Sequence, residues 1–306
     1  MSRFARYAWT VLGINLVVIL WGAYVRASGS GAGCGAHWPL CNGVVVPRAP
    51  AIATIIEMTH RVTSGLALLA VVGLVVGAIR SLPKGHAARR AAYTSMFFML
   101  TEALVGAGLV LFEMVAHNAS LARGWWISAH LINTFLLLAS LALTAWYASG
   151  KPAPASRRVG GTGIACLVLA VIALALGVSG GITALGDTLF PVNSLAEGLA
   201  QDAENGAHLF VRLRVWHPAL AVIFAIGAII TARKIARELG DARVKALAGA
   251  VAGILLLQLV VGAVNTVLLA PIPLQLAHLL LADAVWIALV LFSASVMALT
   301  SRRPTD

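Results

Sequence analysis

Apolar residues run along this chain in eight blocks, separated by short segments that collect charge, glycine and proline. A helix of about 20 apolar residues crosses the ~30 Å hydrocarbon layer of a bilayer, so each block predicts a membrane-spanning helix. The blocks lie at approximately 8–25, 62–80, 92–112, 127–148, 160–183, 216–232, 246–270 and 276–299. The expected fold is an all-α integral membrane protein with eight transmembrane helices.

The pattern also repeats. Gly22-Ala23-Tyr24-Val25-Arg26 at the end of the first span resembles Gly180-Gly181-Ile182-Thr183-Ala184 at the end of the fifth. Glu102 to Ala107 in the third span matches Gln258 to Ala263 in the seventh, and Ala129-His130-Leu131 matches Ala277-His278-Leu279. His60 pairs with His217. A repeat at this spacing marks a duplicated structural unit. Each unit has an even number of spans, so both enter the membrane from the same side and the repeat is parallel. The simplest architecture is two tandem four-helix bundles, 1–150 and 151–306, joined through the basic segment Lys151 to Arg158.

Composition agrees with a lipid solvent. Of 306 residues 60% are hydrophobic and 11% charged, against roughly a quarter charged in soluble domains. Mean hydropathy is +0.92. The net charge of +11 suggests a nucleic-acid partner until its placement is considered. With a cytoplasmic N-terminus, 16 of the 22 basic residues fall on inner segments, among them Arg3, Arg6, Arg80, Arg89, Arg90, Arg157, Arg158, Arg233, Arg302 and Arg303. The outer segments hold Arg26, Arg48, Arg61, Arg123, Arg212 and Arg214. That bias follows the positive-inside rule with both termini cytoplasmic, and no nucleic acid is needed to explain it. Met1 to Ser30 has the outline of a signal peptide, but the repeat requires this segment as a retained helix.

Cys34 and Cys41 share the first outer loop, where an oxidising compartment permits a disulfide staple; a redox-active or metal-binding pair is the alternative. Cys166 is expected as a small buried apolar residue. Of eight histidines, His37, His86, His117 and His208 fall in loops. His60, His130, His217 and His278 instead lie within the first turn or two of even-numbered helices, all at one depth near the outer face. Ionisable groups in membrane helices are costly and face the bundle interior. Two histidines on facing helices can supply both axial ligands of a haem iron. Zinc or copper is the competitor, but zinc wants three or four protein ligands and each half offers two.

The halves differ beside these histidines. Glu57 stands three residues before His60, and Arg214 three before His217. Positions i and i+3 share a helix face. Glu57 can therefore act as a general base or stabilise a developing cation, or it is an ordinary helix-start carboxylate favoured by the dipole. Arg214 suits a haem propionate. The first half, with the cysteine pair as well, is expected to be catalytic, and the second to carry electrons. Glu102 and Asp283 are membrane acids without an assigned role.

Together Glu57-Met-Thr-His60-Arg61, the Cys34/Cys41 loop, Ala-His130-Leu, Trp216-His217-Pro218 and Ala-His278-Leu resemble the haem A synthase family over nearly the whole chain. The resemblance implies oxidation of the C8 methyl of haem O to a formyl group by successive hydroxylations, giving haem A for terminal oxidases. By the same resemblance His60 and His130 flank the substrate haem, and His217 and His278 ligate a resident haem B. Glu57 is then the catalytic carboxylate, and Cys34 and Cys41 form a disulfide. Haem O synthase is the implied supplier, terminal oxidase assembly the consumer, and a bacterial cytoplasmic membrane the location. The electron acceptor is not specified. The segment 184–215 lacks the second cysteine pair of some relatives, and Glu102 is unusual where the repeat has Gln258. The alternative reading is a di-haem b-type electron-transfer protein that modifies no haem.

Overall fold

The computed structural model describes residues 1–155, 160–204 and 206–301. Arg157, Arg158, Arg302 and Arg303, named above among the inner charges, lie outside the described residues. Among the described residues the chain is all helical, with α1 Arg3–Ala27, α2 Ile52–Ser81, α3 Ala87–Leu111, α4 Leu121–Ala148, α5 Gly161–Leu189, α6 Leu195–Ala203, α7 Leu209–Arg214, α8 Trp216–Leu239, α9 Ala242–Val267 and α10 Ile272–Thr300. Eight helices are long and apolar enough to cross a membrane, α7 and α8 together making one span from Leu209 to Leu239. Their outward faces carry exposed Leu66, Leu69, Leu104, Ile223, Ile226 and Val260, the apolar surface a lipid-facing helix requires.

Local chemistry sets the helix ends. The hydroxyls of Ser2 and Ser120 and the carboxylate of Asp241 accept the free N–H groups that open α1, α4 and α9, the usual N-cap solution. Gly240, at φ 72°, ends α8 in the left-handed region, where the missing Cβ removes the steric cost. α3 and α9 end alike. Phe112 and Leu268 donate to residues four back, Met114 and Ala270 to residues five back, and Glu113 and Leu269 both take φ near 60°.

Each set of four spans closes a ring. α1, α2, α3 and α4 pack in sequence and α4 returns to α1; α5, α8, α9 and α10 do the same. α4 and α10 are also the seam, touching each other and, respectively, α5 and α1. Their apolar windows are 44% and 61% buried against 17–28% for the other six. Trp286 on α10 donates to the Phe135 carbonyl on α4 at 2.6 Å and fastens that seam. Small residues allow close approach; Gly77 lies under Phe4, and Gly108 under Trp126.

The spans expected from hydropathy are too short at the histidine-bearing end. α2 begins at Ile52 rather than near 62, α4 at Leu121, and the sixth span at Leu209. Hydropathy falls where Glu57, Thr59, His60 and Arg61 enter, but the helix continues through them. The four histidines are therefore the ninth, tenth, ninth and seventh residues of their spans. At 1.5 Å per residue they sit about 9 to 14 Å inside, at or just beyond the first turn or two expected. Pro218 explains the break at Val215, since it cannot donate to the Arg214 carbonyl. α6 has no counterpart in the sequence expectation.

Candidate functional site

Each of the four histidine rings lies against a glycine of the preceding span. A Cβ on Gly22 would stand 2.9 Å from His60 Cε1, and one on Gly180 2.9 Å from His217 Cε1. The second pair of cradles is Gly106 beside His130, at 3.8 Å, and Gly262 beside His278, at 2.8 Å. Contacts under 3 Å leave no room for a side chain, so at Gly22, Gly180 and Gly262 the missing Cβ is what makes space for His60, His217 and His278, whereas Gly106 leaves ordinary contact distance to His130. The cradles occupy equivalent places in the two halves.

All four histidines line one cavity of about 1390 Å³, whose walls come from both rings of helices and are mostly apolar. It exceeds the ~300–1,000 Å³ of a single small-ligand pocket. The imidazoles of His217 and His278 have centroids 6.5 Å apart with planes at 84°. Two metal–nitrogen bonds of about 2 Å plus the inner half of each ring give roughly 6 Å between centroids, so the spacing of the two rings is close to that of a shared iron atom. Buried Nδ1 atoms of His60, His130 and His278 have no hydrogen-bond partner. No group of three or more His, Cys, Asp or Glu converges on a possible bare-ion site among the described residues. The donor set thus matches a group that brings its own equatorial ligands and asks the protein for two histidines, as haem does.

Around His60 and His130 the polar groups are tightly organised. Glu57 is 3% exposed and lines the cavity. Its Oε2 accepts the Cys34 backbone N–H at 2.8 Å, and its Oε1 accepts from Arg61 in an i, i+4 ion pair. Arg61 Nη1 also donates to the carbonyls of His37 and Leu40, each at 2.6 Å. Cys34 and Cys41 form a disulfide, so one carboxylate and one guanidinium hold the closed loop onto α2. Glu102 on α3 accepts from Asn133 and Thr134 on α4. Its Oε1 lies 3.5 Å from His130 Nδ1.

His217 and His278 have a different setting. Ser179 Oγ is 2.8 Å from His217 Nδ1, and the Gln258 amide nitrogen is 3.3 Å from His278 Nε2. Arg214 lines the cavity but is already engaged, with Asp202 at 2.6 Å, Gln201 at 2.8 Å, the Gly198 carbonyl at 3.3 Å and Asp187 at 3.5 Å. It ties α6 and α5 to the start of the sixth span. Asp283 is fully buried with both oxygens unpartnered and does not line the cavity. Cys166 is buried and free.

Four site features are not evident from the sequence expectation. Arg61 reads there as an outer charge, although its i+4 distance from Glu57 is a legible signal. Ser179 has no signal beyond lying one residue before Gly180. Arg26 and Arg123 also read as loop charges, yet both line the cavity. Arg123 sits in the first turn of α4, where the helix dipole disfavours a cation. That unfavourable placement is the clue to a special role.

The model of the COX15-CtaA family, described as cytochrome oxidase assembly protein, matches residues 5–290. Proteins named protoheme IX farnesyltransferase, from two strains of Thermus thermophilus, are 49% and 48% identical over 302 residues, 99% of this chain and 50% of theirs. A Halalkalibacterium halodurans protein named heme A synthase is 40% identical over 155 residues, half of each chain. The chain spans about half the length of the curated relatives it matches. With a family model covering nearly its whole length and eight membrane-length helices around a histidine-lined cavity, the chain belongs to the COX15-CtaA family.

Proposed function

We propose that this chain is a haem A synthase, an oxidoreductase that converts the C8 methyl group of haem O to the formyl group of haem A. The observation that carries the reading is the pairing of four histidines against glycines, two in each half, around one cavity, with a carboxylate three residues before the histidine in the first half and an arginine at that place in the second. Histidine pairs support two haems. Glu57, without a carboxylate counterpart in the second half, supports chemistry at the first.

In this reading His60 and His130 hold the substrate haem, and His217 and His278 hold a resident haem B. When bound, the resident haem supplies a one-electron relay beside the substrate. Glu57 is fixed by Arg61 and the Cys34 N–H, so its carboxylate does not rotate away from the cavity wall. It stabilises positive charge developing at the methyl carbon and accepts a proton at a carboxylate oxygen. Arg214 is the propionate contact of the resident haem, shared with Asp202 and Gln201. The positive-inside bias supports cytoplasmic termini in a bacterial inner membrane, with the haem sites towards the outer face.

The Thermus relatives are named for farnesyl transfer and are twice as long as the matched region. We assign that activity to the half this chain does not cover. Holding a metal-bound diphosphate calls for grouped carboxylates, and no group of three or more His, Cys, Asp or Glu converges among the described residues. A farnesylated protohaem is the substrate such a reaction supplies here. Extraction of the haems from purified protein tests the reading. Haem B with haem O or haem A is expected; haem B alone at both sites would make the chain a di-haem electron carrier.

A further inference from the structure

Arg26, Arg61, Arg123 and Arg214 line the cavity, and they divide by charge partner. Arg61 is paired with Glu57, and Arg214 with Asp202 and Asp187. Arg26 and Arg123 have no carboxylate within 4 Å among the described residues. Arg123 is 3% exposed; its Nη1 is spent on the carbonyls of Ala116 and Asn118, at 2.6 and 2.8 Å, and its buried Nε has no partner. Arg26, in the last turn of α1, reaches across to the second half. It donates to the Ala184 carbonyl at 2.7 Å, Thr188 at 2.9 Å and Gln275 at 3.1 Å. All these acceptors are neutral. They fix the two guanidinium groups without cancelling their charge.

A cation on the wall of an apolar cavity with no carboxylate in ion-pair contact is costly, and Asp187, the acid whose charge Arg26 feels, is already paired with Arg214. Both stand at the histidine-bearing end, one at the close of α1 and one at the opening of α4. The ligand that relieves this arrangement is broad and apolar with two carboxylates on one edge. We propose that Arg26 and Arg123 form a carboxylate-binding site that receives haem propionates at the end of the cavity facing the His60–His130 pair. The proposal rests on the haem reading above and adds how the porphyrin is oriented. Carboxylates held here fix one edge of the macrocycle at the outer end and so decide which edge is presented to Glu57. Arg61 and Arg214, with acid partners already, have less charge to offer.

The test uses the purified full-length chain in detergent, titrated with ferric protohaem and with its dimethyl ester while the Soret band is followed. The wild type is expected to bind the diacid at least about tenfold more tightly than the diester, the size of one charge-assisted hydrogen bond. Arg123→Gln and Arg26→Gln should each shrink that preference several-fold by weakening diacid binding alone. Arg123→Lys should retain part of it. Equal affinity of the wild type for diacid and diester would overturn the proposal even if both bind. So would glutamine variants that keep the full preference, an outcome that points to a lipid phosphate or another anion at this pair. If the wild type gave no low-spin haem spectrum sensitive to any of the four histidines, the haem reading would fall first, and this assignment with it.

Discussion

The two rings of helices solve the same geometric problem in the same way and then surround the solution differently. In both, a glycine on an odd span admits an imidazole from the next, and α3 and α9 leave the membrane through matching backbone turns. Around His60 and His130, however, stand two carboxylates, a salt-bridged arginine and a disulfide loop. Around His217 and His278 stand a hydroxyl and an amide, with Arg214 nearby and neutralised by aspartates. In the proposed reading the repeated residues hold the two haems, and the residues that differ between the halves divide substrate from cofactor.

The largest expected effect comes from the histidines. His217→Ala or His278→Ala should remove a resident low-spin haem B spectrum even in cells making no haem O. His60→Ala or His130→Ala should leave that spectrum largely intact and abolish substrate binding or turnover. Absorption spectra of the four purified variants decide it, and the opposite pattern would reverse the assignment of the halves.

Glu57→Gln should lower conversion of haem O by roughly 10²-fold or more, the usual scale for loss of a positioned acid–base group, while both haem spectra persist. Pigment analysis of cells carrying the variant is the readout, and undiminished haem A would remove Glu57 from the chemistry. The same change breaks the ion pair with Arg61, so a modest loss of thermal stability is expected alongside.

The glycine cradles separate the halves more finely. Gly262→Ala puts a methyl 2.8 Å from His278. It should weaken the second haem site about tenfold or more, on the scale seen when metal-ligand positioning is disturbed. Gly106→Ala meets His130 only at 3.8 Å and should change haem affinity little. Haem titration of the pair provides the comparison, and equal effects would contradict the geometry.

Smallest is the disulfide. The short loop between Cys34 and Cys41 gives a chain-entropy contribution of about 2–3 kcal/mol. Cys34→Ala should lower the thermal midpoint and the yield but leave all histidine-dependent spectra unchanged. A spectrum that shifts on reduction of the bridge would show that the loop does more than hold Glu57 in place.

Eight spans are legible in the sequence because hydropathy over 20 residues is a strong signal. Their histidine-bearing ends are not, since Glu57, His60 and Arg61 interrupt the apolar pattern at the point where the helix carries its chemistry inward. The repeat makes the four histidines readable as a set, and i, i+3 spacing picks out Glu57. Beyond the i, i+4 pair of Glu57 and Arg61, what sequence spacing does not encode is which cation has a partner. Arg26, Arg61, Arg123 and Arg214 look alike as outer charges. Only the fold shows that α6 and α5 bring aspartates to one of them, while two others meet neutral carbonyls from the second half and from the segment before α4.

Arg26 has a consequence for how the two halves came to differ. By the register of Gly22 and Gly180, its counterpart in the duplicated unit is Ala184, the residue whose carbonyl it grips. A residue that touches its own counterpart sits beside the symmetry axis relating the units. Two identical units would set arginine against arginine there. With Ala184 opposite, the bond runs from a side chain to a backbone carbonyl and a single guanidinium stands at the seam, whereas two like charges meeting there would repel.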